Sequence, residues 1–136
     1  MLIQYKYDSF VNTRNISYIR LDENYFEFTM GFNKHIDNGD YKYTAKEELK
    51  KIIEEDLRFL KFIDESDVYI NVEYIDFVKL ERFEQDDCDT CLVYFVNDEN
   101  SFSIKCKEDI ENPLETINKR MKEVYAAKYV SSFSEE

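Results

Sequence analysis

Three cysteines and a single histidine are the residues of this chain with the most distinctive site chemistry. Cys88 and Cys91 stand three apart in the acidic stretch QDDCDTC, and Cys106 and His35 could complete a four-ligand set. A structural zinc site normally uses four Cys or His ligands, often as two close pairs. Because Cys106 and His35 do not form a second close pair, we expect no bound metal.

The same two cysteines could instead form a redox couple. Such a couple needs its first cysteine near a helix N-terminus, where the helix dipole lowers the thiol pKa. The residues after Cys91 read LVYFV, which is strand-like, and the aspartates Asp86, Asp87 and Asp89 would raise a thiol pKa. We therefore interpret QDDCDT as an acidic turn and Cys91 as the first residue of a strand.

Motifs typical of enzymes are missing from the sequence. It contains no G-x-S-x-G elbow, no G-x-x-x-x-G-K-[ST] loop and no H-E-x-x-H pair. Glu48 and Lys50 form an E-x-K pair, but they fall on the polar face of a predicted helix. A lone histidine such as His35 is more often exposed than catalytic. We expect a protein without catalytic residues and without a cofactor.

The acidic charge is concentrated in one part of the chain. The net charge is −12, and residues 64–111 carry 4 basic and 15 acidic residues, a net of −11. Residues 1–63 carry 10 and 11, and residues 112–136 carry 4 of each. A concentrated acidic surface attracts a basic partner, and its sign disfavours direct binding to nucleic acid or to an anionic membrane.

Length and composition predict a single domain over residues 1–136. The opening residues lack a signal-peptide pattern, and no apolar run approaches the roughly 20 residues that cross a bilayer. An odd cysteine count without an export signal favours reduced thiols. These features predict a cytoplasmic protein, and no internal repeat is evident from the sequence.

The hydrophobic pattern predicts an α+β fold in the order βββαβββα. A capping box at Thr44 and Glu47 predicts a first helix whose apolar stripe runs from Leu49 to Ile63, and a second helix begins at Asn112. The strands are predicted at 2–7, 16–21, 25–32, 67–83, 91–96 and 101–107, with 33–40 as a polar loop and 129–136 as a frayed or packed tail. Near Tyr74 the alternation slips, which fits a bulge, a sharp bend, a long strand buried on both faces or two strands. We expect an antiparallel sheet of about five to six strands with both helices on one face.

The acidic block supplies the candidate partner-binding surface. Its residues cluster around one predicted loop and the tip of the neighbouring hairpin: Glu81, Phe83, Glu84, Asp86, Asp87, Asp89, Asp98 and Glu99. Carboxylates can occupy the positions of phosphates in a basic cleft, and an aromatic side chain can anchor the contact. The sequence therefore suggests an immunity protein or antitoxin that inhibits a nuclease toxin or another basic, nucleic-acid-binding protein.

Two alternatives stay open. A phage or mobile-element protein that mimics nucleic acid against a restriction or CRISPR component would use the same surface. A homo-oligomeric assembly subunit would instead use apolar strand edges, for example that of LIQYKY (residues 2–7), to make a homodimer.

Overall fold

The computed structural model describes residues 1–31, 35–61, 67–82, 89–95, 101–105 and 113–134. Within these residues the chain forms ten strands and two α-helices. In chain order they are β1 (Leu2–Lys6), β2 (Ser9–Asn12), β3 (Ile16–Leu21), β4 (Tyr25–Met30), β5 (Ile36–Asp40), α1 (Lys46–Glu55), β6 (Phe59–Lys61), β7 (Val68–Asn71), β8 (Ile75–Arg82), β9 (Asp89–Phe95), β10 (Ser101–Lys105) and α2 (Pro113–Ser134). Neither helix in this part of the chain combines the length and apolar composition needed to cross a membrane.

A five-stranded antiparallel sheet forms the centre of the molecule. Its strand order is β5-β4-β3-β7-β6, so the sheet joins strands from both halves of the chain through the β3–β7 pair. Within the described residues, β1 and β2 form a separate hairpin, and β8, β9 and β10 form a separate three-stranded sheet. The α+β class and the antiparallel sheet are confirmed, although the strands are shorter and more numerous than the order βββαβββα predicts.

The two helices contact opposite faces of the central sheet. Ile19 of β3 and Tyr69 of β7 pack in one core with Leu49 and Ile53 of α1. Their chain neighbours on the same strands, Tyr18 and Ile70, pack in a second core with two residues of α2, Ile117 and Val124. Successive side chains of a strand point to opposite faces, so each face has its own core and its own helix. This differs from the predicted arrangement of both helices on one face.

The two halves of the chain repeat the same structural unit. Residues 1–56 form a hairpin (β1–β2), a 3₁₀ turn, a three-stranded meander (β3–β5) and a helix, and residues 57–136 repeat that order with β6–β10 and α2. The segments VNTRNISYIRL (11–21) and INVEYIDFVKL (70–80) align without a gap, with Asn, Ile and Leu shared at three positions. The expectation of a chain without internal repeats is wrong. We call residues 1–56 the first unit and residues 57–136 the second unit.

Main-chain geometry supports this equivalence in detail. Thr13 N donates to Met1 O at 2.9 Å, and the equivalent Val72 N donates to Arg58 O at 2.8 Å. Each 3₁₀ turn, Thr13–Asn15 and Val72–Tyr74, follows an asparagine whose side chain accepts a hydrogen bond from the turn. The register of β3 with β4 and of β8 with β9 also shifts at the same place, just after the first strand residue.

The 3₁₀ turn at Val72–Tyr74 explains the slip in hydrophobic alternation near Tyr74. It separates β7, which belongs to the central sheet, from β8, which belongs to the other sheet. Of the alternatives that the sequence left open, two separate strands is the one observed.

The start of α1 differs from the predicted capping box. The helix begins after Ala45, and no side chain caps its first turn. Thr44 Oγ1 instead donates to the main-chain oxygen of Gln4 at 2.8 Å, so this hydroxyl fastens the helix start to β1.

The predicted apolar stripe also continues past the end of the helix. The helix ends at Glu55, Leu57 lies exposed in the following turn, and Leu60 is a buried residue of β6. Ile63 lies outside the described residues.

Two segments predicted to be irregular are regular in the structure. The sequence IDNGD forms β5, an edge strand paired with β4, although we expected a polar loop. Helix α2 continues to Ser134, through most of the segment expected to be a frayed or packed tail.

Candidate functional site

The predicted acidic surface is only partly within the described residues. The main chain of Glu81 pairs with Thr90, and Arg82 pairs with Asp89, so two of the predicted residues lie close to each other at one end of the β8–β9 hairpin. The other predicted residues lie outside the described residues: Phe83, Glu84, Asp86, Asp87, Asp98 and Glu99.

The two acidic stretches are attached to opposite ends of β9. Residues 83–88 connect to Asp89, the first residue of the strand, and residues 96–100 follow its last residue, Phe95. Six residue steps of about 3.4 Å separate these strand ends, which is a distance of roughly 20 Å. The described strands therefore bring Glu81 and Asp89 together but attach Asp98 and Glu99 at the far end.

The β8–β9 hairpin is longer than its equivalent in the first unit. There, β3 and β4 close with Leu21 paired to Phe26, and Asp22 N donates to Tyr25 O at 2.9 Å across a tight turn. Leu80, the equivalent of Leu21, pairs with Cys91, so ten residues replace four between the two partners. Two further register pairs extend the second hairpin before residues 83–88 begin.

The cysteine and histidine candidates lie in different units. Cys91 pairs through its main chain with Leu80 and Ile104, while His35 lies just before β5 of the first unit, with Nε2 3.5 Å from Asp37. Cys88 and Cys106 lie outside the described residues. Among the residues that the structure does describe, no group of three His, Cys, Asp or Glu side chains is placed to hold a metal ion.

An ion-pair cluster lies where the two units join. Asp67 Oδ1 is 3.2 Å from Lys61 Nζ and 3.6 Å from Lys50 Nζ, and Leu21 N donates to Asp67 O at 2.8 Å. Partial burial pushes the pKa of Asp67 upward. The hydrogen bond from Lys61 and the charges of Lys50 and Lys46 outweigh that effect, so the pKa lies below its usual value. The arrangement fixes the β3–β7 junction.

Two buried tyrosines donate hydrogen bonds to carboxylates, Tyr69 across the junction and Tyr18 within the first unit. Tyr69 donates to Glu54 Oε1 at 2.8 Å, and burial, followed by this hydrogen bond, raises the pKa of Tyr69. Tyr18 donates to Glu27 Oε1 at 3.3 Å, and burial, followed by the charge of Glu27, raises the pKa of Tyr18 to about 12. Both phenols stay neutral donors at neutral pH, and the hydrogen bond from Tyr69 to Glu54 links the two units.

A cleft of about 860 Å³ lies between the two units, lined by residues of the first 3₁₀ turn, the end of α1 and the middle of α2. Arg58 Nε donates to Asp56 Oδ1 at 3.0 Å, and Lys128 forms an ion pair with Glu73. Two cations of the cleft are thus held by carboxylates. The cleft marks a gap at the junction of the units.

A smaller cleft of about 340 Å³ is rich in tyrosine. Tyr5, Tyr7, Tyr25 and Tyr43 line it together with Lys6, and Tyr7 is 83% exposed. Such rings can stack on a flat ligand. We assign no ligand to this cleft.

The β1–β2 hairpin has an exposed apolar surface that extends beyond LIQYKY (residues 2–7), the strand edge named by the sequence interpretation. Phe10 is 59% exposed and Leu2 is 67% exposed. Their equivalents in the second unit, Tyr69 and Phe59, are 2% and 3% exposed. Alignment of the two units would have shown that these positions are equivalent, but the difference in exposure is visible only in the structure.

Comparison of the chain with models of protein families, with curated proteins and with solved structures found no match.

Proposed function

We propose that this protein is a non-enzymatic binding protein that neutralises a basic protein partner, in the manner of an immunity protein or antitoxin that inhibits a nuclease toxin. The partner surface is the extended acidic hairpin of the second unit. Its members are Glu81, Phe83, Glu84, Asp86, Asp87 and Asp89.

The observation that carries the proposal is the difference between the two units at this hairpin. The first unit closes the equivalent strands with four residues between Leu21 and Phe26, so the fold itself does not require a longer connection. The second unit uses ten residues between Leu80 and Cys91, and five of them are acidic. The longer connection in the second unit is not needed for the fold and concentrates negative charge, which supports a role in binding.

The charge difference extends over the whole of each unit. The first unit carries 8 basic and 11 acidic residues, a net of −3, whereas the second carries 10 and 19, a net of −9. Both units build the same sequence of strands and helix, so this charge is not a demand of the fold. A concentrated negative potential accelerates encounter with a basic protein and weakens with salt.

The chemistry of the hairpin suits a nucleic-acid-binding cleft. Carboxylates of residues 81–89 would take the places of backbone phosphates, and Phe83 would supply an apolar anchor among them. Close charge pairs in such interfaces are coupled by about 1.5–7 kcal/mol. A restriction or CRISPR component presents the same kind of basic cleft as a nuclease toxin. Capture of a toxin would therefore indicate an immunity protein, and capture of a restriction or CRISPR enzyme would indicate an anti-defence protein.

The test compares three variants of the full chain. In the first, Glu84→Gln, Asp86→Asn, Asp87→Asn and Asp89→Asn neutralise the hairpin. A matched control removes four exposed charges from the first unit: Glu23→Gln, Glu47→Gln, Glu48→Gln and Glu55→Gln. A third variant, Asp98→Asn with Glu99→Gln, probes the opposite end of β9.

The readout is capture of partners from host lysate at low and moderate salt, followed by inhibition assays on the captured enzyme. We expect the wild type and the control to bind and inhibit a basic nucleic-acid enzyme, and the hairpin variant to do neither. Equal inhibition by the hairpin variant would overturn the proposal. A loss confined to the third variant would move the binding surface to the other end of the strand.

A further inference from the structure

The two units are joined in the central sheet by one pair of strands, β3 and β7. In the central sheet, β3 of the first unit lies antiparallel to β7 of the second, with Ile19 opposite Tyr69. In the repeat, β3 is equivalent to β8 and β7 is equivalent to β2. The strand pair equivalent to β3–β7 is therefore β8 with β2, and both of these strands are present in the chain.

This counterpart contact is not made within the described residues. There, β2 is paired with β1 alone, β8 is paired with β9 alone, and the two strands belong to separate sheets. Among the described strands, the edge of β2 in the first unit and the edge of β8 in the second unit are therefore uncovered, whereas their equivalents, β7 and β3, cover each other. An uncovered strand edge presents main-chain donors and acceptors to another strand.

Side-chain burial shows what the missing contact leaves exposed. Tyr69 packs beside Ile19 in the core of the first unit, where β3 covers it. Phe10, its equivalent, is 59% exposed, although Val78, the equivalent of Ile19, packs against the core of the second unit. An aromatic residue thus stands at the edge of β2 without the strand that buries its counterpart.

We propose that this protein forms a homodimer in which β2 of each copy pairs antiparallel with β8 of the other copy. The register follows from the β3–β7 contact and places Phe10 opposite Val78, with Val11 opposite Phe77. The occupant is a second copy because β8 is the strand of this chain that repeats the β3 sequence, and one copy keeps its own β8 in a separate sheet. Reciprocal pairing about a two-fold axis closes the assembly with both edges covered.

The mass of the full chain in solution is the first test, measured by native mass spectrometry and by light scattering from low to high micromolar concentration. We expect a dimer for the wild type and at least a tenfold weaker dimer for Phe10→Lys, because a lysine on a strand edge opposes pairing. Tyr7→Lys is the matched control, since Tyr7 is exposed in the β1–β2 turn, and its dimer should be unchanged. A wild type that stays monomeric throughout would overturn the proposal.

Disulfide cross-linking tests the register. In a chain with Cys88, Cys91 and Cys106 changed to serine, one copy carries Phe10→Cys and another carries Val78→Cys. We expect a mixed disulfide dimer only when the two are combined, because opposed residues on paired strands bring their Cβ atoms within disulfide range. A dimeric wild type without this cross-link would place the dimer contact elsewhere and overturn the proposed pairing. Neither experiment depends on the acidic hairpin or its partner.

Discussion

Asn71 Nδ2 donates to the main-chain oxygen of Ile16 at 3.0 Å across the junction of the two units, and both residues are fully buried. Asn71 Oδ1 also accepts from Glu73 N at 3.0 Å, which caps the second 3₁₀ turn. Asn12, its equivalent in the first unit, accepts from Arg14 N at 3.1 Å. One side chain therefore serves both a local turn and the contact between units.

Replacement of this asparagine should cost more than replacement of its equivalent. We expect Asn71→Ala to lower the free energy of unfolding by about 2–4 kcal/mol, because it removes a cap and leaves the buried Ile16 carbonyl without its donor. Asn12→Ala should cost about 1 kcal/mol, because it removes the cap and an exposed hydrogen bond from the Met1 ammonium but no bond to a buried group. Urea denaturation of both variants measures the difference, and equal losses would contradict the assigned role of Asn71.

Thr44 should contribute to stability through β1 rather than through a helix cap. Thr44→Val removes the hydrogen bond to Gln4 O and should cost about 1–2 kcal/mol. Glu47→Ala, which removes the side-chain acceptor of a capping box, should change stability by less than about 0.5 kcal/mol, because Glu47 is exposed on the first turn. Thermal and urea unfolding of the two variants decide between this geometry and a capping box, in which both substitutions would be costly.

Gly39 on β5 is required by the aromatic ring that covers it. A Cβ at position 39 would lie 2.0 Å from Phe26 Cζ, and Phe26 is fully buried. Gly39→Ala should therefore destabilise the fold by about 1–3 kcal/mol. The neighbouring Asn38→Ala, at an exposed position, should be close to neutral.

A double variant tests whether the ring is the cause. If Phe26 causes the loss, Gly39→Ala should cost less in a Phe26→Leu background than in the wild type, as a double-mutant cycle would measure. Strict additivity of the two losses would contradict the steric explanation.

Stability should fall in alkali partly through Tyr18. Its folded pKa of about 12 exceeds the usual value of 10.0, first because of burial and then because of Glu27. Its contribution is therefore fully present below pH 10 and is lost as pH rises towards 12. Tyr18→Phe should show a shallower decline of unfolding free energy over this range than Tyr7→Phe. Identical declines in the two variants would show that Tyr18 is not protected by the fold.

Much of the local structure follows from the sequence. The strands predicted at 16–21 and 25–32 correspond to β3 and β4, which pair as a hairpin, and Phe26 and Phe28 of β4 are both fully buried. Leu49 and Ile53 predicted the buried side of α1. These elements are local, so propensity and hydrophobic period suffice to predict them. The concentration of acidic residues in residues 64–111 is likewise a property of the sequence alone.

Other features depended on contacts distant in sequence. The polar segment IDNGD becomes β5 because β4 supplies its pairing partner and Phe26 covers Gly39. Leu60 continues the apolar period of α1, but it pairs with Ile70 and belongs to β6. A three- to four-residue period cannot locate the end of a helix when the next strand faces an adjacent core.

The repeat itself was present in the sequence, in the matched segments 11–21 and 70–80. The tertiary structure decided which of two equivalent residues is buried and which is exposed. Tyr69 is buried because β3 covers the edge of β7, and Phe10 is exposed because no described strand covers the edge of β2. Two similar sequences thus acquire different surfaces, since strand pairing between distant segments determines burial and local propensity does not.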